Sequence, residues 1–206
     1  MQPLIVSMQL KGAGGEKVLI HLSDGSSFVL HAEASARAGL CEGVPVDSEL
    51  RDRLLGESEH LFARSTALRL IARAPQTRRG LARKLSTRGF GGEAVRTAVA
   101  RMEELGYLDD RVFAEAWLRS RLGGRPEGWK SLYRGLIGRG VPRPVAEEAL
   151  GALFGPEEEL AAARRLSRGL SPATAARKLQ ARGFRTRAIA VVVRDQRGTG
   201  REHPTV

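Results

Sequence analysis

The sequence predicts a mainly α-helical protein: an elongated array of three tandem three-helix repeats, preceded by a small three-stranded antiparallel β element. Three observations carry this expectation. Alternating apolar residues are confined to the first thirty or so positions, a motif Leu-x-x-Arg-Gly-(Phe/Val) recurs at intervals of 51 and 43 residues, and apolar stripes at helical spacing fill the remainder. With 206 residues and 42% hydrophobic content, the chain can also bury a core rather than stay disordered.

Residues 3–10, 17–23 and 26–31 read as the strands. Asp24-Gly25 between the last two predicts a type I′ hairpin, whose two central residues both take φ > 0. The glycines in Lys11–Glu16 read as a looser turn. No Gly-Lys-Ser/Thr follows them and they lead into a strand, so they do not form a phosphate cradle. A meander this small needs helical cover. Residues 32–40 and 47–61 supply it, with Asp47 or Ser48 as N-cap and a break over 40–45.

From residue 63 the pattern is three times helix, loop, helix ending in Arg-Gly, then a third helix. The first helices are 63–73, 111–122 and 157–168; the third helices are 93–105, 144–153 and 187–194. Second helices begin near Thr77, Trp129 and Ser171-Pro172, and end at Arg88-Gly89, Arg139-Gly140 and Arg182-Gly183. Glycine suits the left-handed C′ position there, and Phe90, Val141 or Phe184 folds back on the helix end as a Schellman cap requires. The expected organisation is a β element and acidic helical linker over 1–62, repeats over 63–108, 109–155 and 156–195, and a flexible tail over 196–206.

The formal charge of +11 is unevenly spread. Residues 1–62 hold 5 Lys and Arg against 9 Asp and Glu, a net −4; the rest holds 29 against 14, a net +15. An acidic cap on a basic body points to a polyanionic partner. Cys41 is the single cysteine, which excludes a disulfide scaffold and fits a reducing, cytoplasmic setting. The apolar run after Met1 is too short to span a bilayer and lacks a basic flank, so no membrane association is expected. His21, His31, His60 and His203 share no metal-ligand spacing. Asp109-Asp110 is placed to cap a helix rather than to catalyse. No nucleophile–base pair stands out, so no enzyme activity, cofactor, metal or small-molecule substrate is expected.

Ala67-Leu68-Arg69-Leu70-Ile71, Pro75, Leu81-x-x-Lys84-Leu85-x-x-x-Gly89-Phe90 and Leu105-Gly106-Tyr107-Leu108-Asp109-Asp110-x-x-Phe113-Ala114 together resemble the signature of the RecX family of recombination regulators. Leu136-x-x-x-Gly140-Val141 with Ala149-Leu150, and Lys178-Leu179-x-x-x-Gly183-Phe184, resemble that family's second and third repeats. Gly80 departs from it, standing where members often carry an acidic residue. The resemblance implies a non-enzymatic modulator that binds RecA, lodges along its nucleoprotein filament on single-stranded DNA, and limits recombination and repair there. The alternative is a basic helical-repeat nucleic-acid-binding protein with no RecA partner, able to take duplex DNA as well.

The expected contacts to filament or DNA are Arg69, Arg73, Arg78, Arg79, Arg83 and Lys84 in the first repeat, and Arg125, Lys130 and Arg134 in the second. In the third they are Arg164, Arg165, Arg168, Arg177, Lys178, Arg185 and Arg187. Helix-end electrostatics already accounts for Arg88, Arg139 and Arg182. Trp129 and Tyr133 are the candidates for stacking on bases, whereas Trp117 is spaced to pack with Phe113 in a core.

Overall fold

The computed structural model describes residues 2–12 and 14–199. It is mostly helical, with ten helices and one three-stranded antiparallel sheet among the described residues. The chain divides into two compact units, one of Met1–Pro75 with Leu81–Tyr107, the other of Gln76–Gly80 with Leu108–Val206.

The first unit opens with β1 (Ile5–Lys11), β2 (Lys17–Leu22) and β3 (Ser27–His31), in sheet order β1-β2-β3. Alternation puts Val18, Ile20 and Leu22 of β2 on one face, where they bury with Ile5, Leu30, Val46 and Leu54. The turn at Asp24-Gly25 differs from the type I′ expectation. Gly25 takes φ +83°, but among the described residues none other than glycine has positive φ, so Asp24 does not. Gly25 N–H donates to the Leu22 carbonyl (3.0 Å) and Leu22 N–H to the Ser26 carbonyl (2.9 Å). That is a three-residue loop, a type I turn closed by a left-handed glycine. The Ser26 hydroxyl and then its N–H donate to the Asp24 carboxylate, which holds that carboxyl below its ordinary range.

α1 (Ala32–Arg37) starts directly from β3, with His31 as N-cap. His31 Nδ1 accepts from Glu33 N–H at 3.2 Å, and its ring meets Phe62 edge-on at 5.0 Å. Partial burial lowers the His31 pKa below its usual 6.5; Arg64 adds to this, and Glu33 and Glu16 oppose it. The unfolded chain therefore takes the proton more readily. His31 contributes stability that is whole above pH 6.5 and is lost as pH falls from there through its lower folded value. Between about pH 7.5 and about pH 5, the thermal midpoint should fall further in the wild type than in His31→Asn, which keeps a capping acceptor that does not titrate. An equal acid drop in both would remove His31 from this account.

α2 (Ser48–Arg73) joins two helices expected separately, over 47–61 and 63–73. The linker helix and the first helix of repeat one are a single 26-residue helix, capped by Asp47 through Leu50 N–H at 2.7 Å. No proline or positive-φ residue lies between Ser48 and Arg73, so nothing interrupts the backbone ladder. α3 (Arg78–Ser86) has its first turn in the second unit and the remainder in the first, which α4 (Gly92–Glu104) completes.

The second unit adds α5 (Asp110–Leu122), α6 (Trp129–Gly138), α7 (Arg143–Leu153), α8 (Pro156–Ser167), α9 (Pro172–Ala181) and α10 (Thr186–Thr199). Leu118, Leu132, Leu136, Val141, Leu150 and Phe154 form one core, and Ala163, Leu179, Phe184 and Val192 form another. α10 runs on to Thr199, so residues 196–199 of the expected tail are helical. The rest of that tail, 200–206, lies outside the described residues.

All three Arg-Gly helix ends are Schellman caps. Gly89, Gly140 and Gly183 have φ of +89°, +92° and +76°. The next residue donates back to the same helical position each time: Phe90 to Leu85 (3.4 Å), Val141 to Leu136 (3.2 Å) and Phe184 to Leu179 (3.1 Å). The triplets α2–α4, α5–α7 and α8–α10 thus share one local grammar.

Candidate partner and nucleic-acid interface

One recurring device positions the basic helices. The first helix of each triplet carries an acid followed by (Phe/Ala)-Ala at the third and fourth positions: Glu59-x-x-Phe62-Ala63, Asp110-x-x-Phe113-Ala114 and Glu159-x-x-Ala162-Ala163. The three alanines are wholly buried, which fixes the acid one turn earlier. Glu59 accepts from Gly91 N–H at 2.6 Å, ahead of α4. Glu159 accepts from Arg185 N–H at 2.9 Å, ahead of α10. The matching residue in the middle triplet is Pro142, which has no N–H, and there the acid is the shorter Asp110.

Two of these acids also reach the preceding triplet. Asp110 accepts from Arg78 N–H at 2.9 Å at the start of α3, and Glu159 accepts from Trp129 N–H at 3.0 Å at the start of α6. Each carboxylate satisfies a donor that a helix start leaves open and sits at the positive end of its dipole. The same helix starts rest on the next Arg-Gly turn. The Thr77 hydroxyl donates to the Arg139 carbonyl (2.6 Å), Gly128 N–H to the Arg182 carbonyl (2.9 Å) and Lys130 N–H to the Gly183 carbonyl (2.9 Å). The fit is tight. A Cβ on Gly128 would lie 2.2 Å from the Phe184 backbone, and one on Gly80 2.7 Å from Thr77 Oγ1. The departure at Gly80 thus has a structural reason.

On this frame most of the expected contact residues are exposed: Arg73, Arg78, Arg79 and Arg83, then Arg125, Lys130 and Arg134, then Arg165, Arg168, Arg177, Lys178 and Arg187. Lys84 is half-buried. The Arg79 stem crosses Gly140, and Arg83 stands one turn along the same α3 face. Arg125 and Arg165 line one open cavity of about 440 Å³ with Arg121, itself paired to Glu127 at 2.6 Å.

Some of the expected contacts have prior engagements. Arg69 is exposed but paired with Glu16 (3.0 and 3.1 Å), and Arg164 with Asp195 (2.8 Å). Arg185 is half-buried against the fully buried Glu159, so it is an internal counter-ion. The acidic segment near the start also pairs Glu33 with Arg64 (3.1 Å), which makes it a local neutraliser of the α2 arginines. Arg88 and Arg139 donate to carbonyls four residues back, Lys84 at 2.7 Å and Gly135 at 2.9 Å, in keeping with helix-end roles.

The candidate stacking rings are stacked on each other. Trp129 and Tyr133 lie 4.9 Å apart and 11° from parallel, with the Arg185 guanidinium 5.6 Å from the indole. A base stacking on Trp129 competes with those contacts. Trp117 packs beside Phe113 against the middle core, and its ring carries Arg139 at 4.7 Å and Arg121 at 5.6 Å.

Asp109 caps α5 through Arg111 N–H (2.8 Å) and Val112 N–H (3.0 Å), so the carboxylate pair is structural on both sides. Among the described residues no cluster of His, Cys, Asp and Glu could hold a metal ion, and no helix is long and apolar enough to cross a membrane.

Residues 63–102 match the family model described as RecX, first three-helix domain, and 109–150 match RecX, second three-helix domain. A regulatory protein RecX of Thermus thermophilus is 42% identical over 118 residues, 57% of this chain and 80% of that protein. Another, from Thermobifida fusca, is 39% identical over 126 residues, 60% of this chain and 68% of that protein. A crystal structure of a regulatory protein RecX superposes with a TM-score of 0.69 at 16% identity, covering 92% of this chain and 98% of that one. That of RecX from Lactobacillus salivarius gives 0.63 at 17% identity, covering 68% and 97%. At those identities the two structures bear on the fold.

Proposed function

Taking as premise that this chain belongs to the RecX family of regulatory proteins, we propose that it binds RecA and its filament on single-stranded DNA in the cytoplasm and inhibits recombinase activity. The observation that carries the reading is the exposed cationic face of α3, with Arg79 and Arg83, beside a +15 body within a recognisable RecX frame. Its chemistry is recognition: cations meet acidic side chains on the filament and phosphates on the strand. DNA repair and recombination are the processes it would govern.

The test is a titration of this chain into RecA on single-stranded DNA. DNA-dependent ATP hydrolysis and strand exchange should fall at less than one chain per RecA; rates unchanged across the titration would refute the proposal. The excess of positive charge favours one other reading, a nucleic-acid-binding module without a protein partner. Pure phosphate binding collapses steeply as salt rises, by roughly 10³–10⁵ between 50 and 200 mM for six to ten phosphate contacts. Capture through a protein surface should persist there.

A further inference from the structure

In the middle triplet, Trp117 fills the space between the first helix and the Arg-Gly turn. Arg139, tied by its guanidinium to the Gly135 carbonyl, lies over the indole at 4.7 Å. The first triplet repeats this arrangement 51 positions earlier, as the shared spacing of Glu59 and Asp110 and of Gly89 and Gly140 requires. Arg88 is tied in the same way to the Lys84 carbonyl, at 2.7 Å. The residue in the place of Trp117 is Thr66, and the ring is missing. An open cavity of about 240 Å³ takes its place, lined by Thr66, Arg69, Leu70, Arg73, Arg88 and Phe90.

We infer that this cavity binds one nucleotide of a single-stranded nucleic acid, with the base between Arg88 and Phe90 and the phosphate on Arg73. The middle triplet shows that an arginine tied in this way presents its guanidinium to a planar π system. Phe90 offers a second stacking surface. The charge selects a nucleotide over a neutral aromatic side chain. Three of the six lining residues are arginines; Arg69 is committed to Glu16 and to Thr66 Oγ1 (3.0 Å), whereas Arg73 has no ion-pair partner among the described residues. Lys84 stands where Gly135 makes room for the indole, so a ligand enters from the open side of the cavity. The inference deepens the DNA side of the proposed function and rests on it.

The test compares two single-stranded probes of equal length, an oligothymidylate and an oligomer of abasic sites, which carry the same phosphates with and without bases. The wild-type chain should prefer the thymidylate by about five- to tenfold. Thr66→Trp, which fills the cavity from within, should abolish the preference by lowering the thymidylate affinity to that of the abasic probe. Thr66→Leu, which copies Leu166 of the third triplet, is the second variant should tryptophan disturb folding by circular dichroism. A 5-iodouracil probe should crosslink to Phe90 in the wild type and not in either variant. Equal affinities for the two probes, or a preference that survives both substitutions, overturn the inference. Variants that keep the preference but no longer inhibit RecA would place a partner's side chain in the cavity, which overturns it too. Failure of the nucleotide site leaves wild-type inhibition of RecA in place; an intact base preference without that inhibition sinks the regulator reading alone.

Discussion

Glu159→Ala should lower the stability of this protein by about 3–5 kcal/mol, because it strands a half-buried arginine and opens two helix starts together. The wild-type carboxylate is 1% exposed and accepts from Trp129 N–H, Arg185 N–H and the Arg185 guanidinium. Its removal leaves the Arg185 charge beside an apolar core containing Phe184. For a chain of this size such a loss corresponds to a fall in thermal midpoint on the order of 10 °C. Glu159→Gln keeps a capping oxygen and loses only the ion pair, so it should fall between wild type and Ala. Thermal and urea unfolding of the three proteins give the comparison; a loss under about 1 kcal/mol for Ala would mean that the acid is not the staple between α6, α8 and α10.

The second large effect is functional. On the proposed function, reversing Arg79 and Arg83 together to Glu should weaken inhibition of the RecA filament by about tenfold or more, since four units of charge change on one exposed face. The fold should survive. Arg83 is exposed, and Glu retains the Cβ and Cγ with which the Arg79 stem lies across Gly140. Leu81 and Leu85, fully buried, hold α3 in place. Helical circular dichroism should match the wild type; a loss of helix would show that the face is misassigned.

Much of the fold was legible in the residues. Periodicity located the strands and helices, and the Arg-Gly ends declared their caps, because a left-handed glycine after a helix is a local matter. The errors fell where two local solutions share one sequence. Asp-Gly serves a type I′ turn, and equally a type I turn closed by Gly25. The helices expected over 47–61 and 63–73 are one, because no breaker separates Leu61 from Ala63. Asp195 and Gln196 do not stop α10, which extends to Thr199.

The candidate site was legible as charge and illegible as pairing. Arg69 with Glu16 and Arg164 with Asp195 join residues 53 and 31 positions apart, and no composition count reveals which cations are already neutralised. Arg185 and Glu159 differ in kind: the acid-x-x-(Phe/Ala)-Ala pattern at Glu59, Asp110 and Glu159 was present in the sequence as the signal for the staple. Thr66 in the place of Trp117 likewise acquires meaning only once the triplets are set in register around the ties of Arg88 and Arg139.

The most direct test of the regulator reading is RecA filament length on single-stranded DNA, followed in real time as this chain is added at a small fraction of the RecA concentration. Net filament growth should stop and shortening should follow, at a salt concentration where the chain alone no longer holds DNA. Filaments that grow at the same rate with and without the chain would contradict the account.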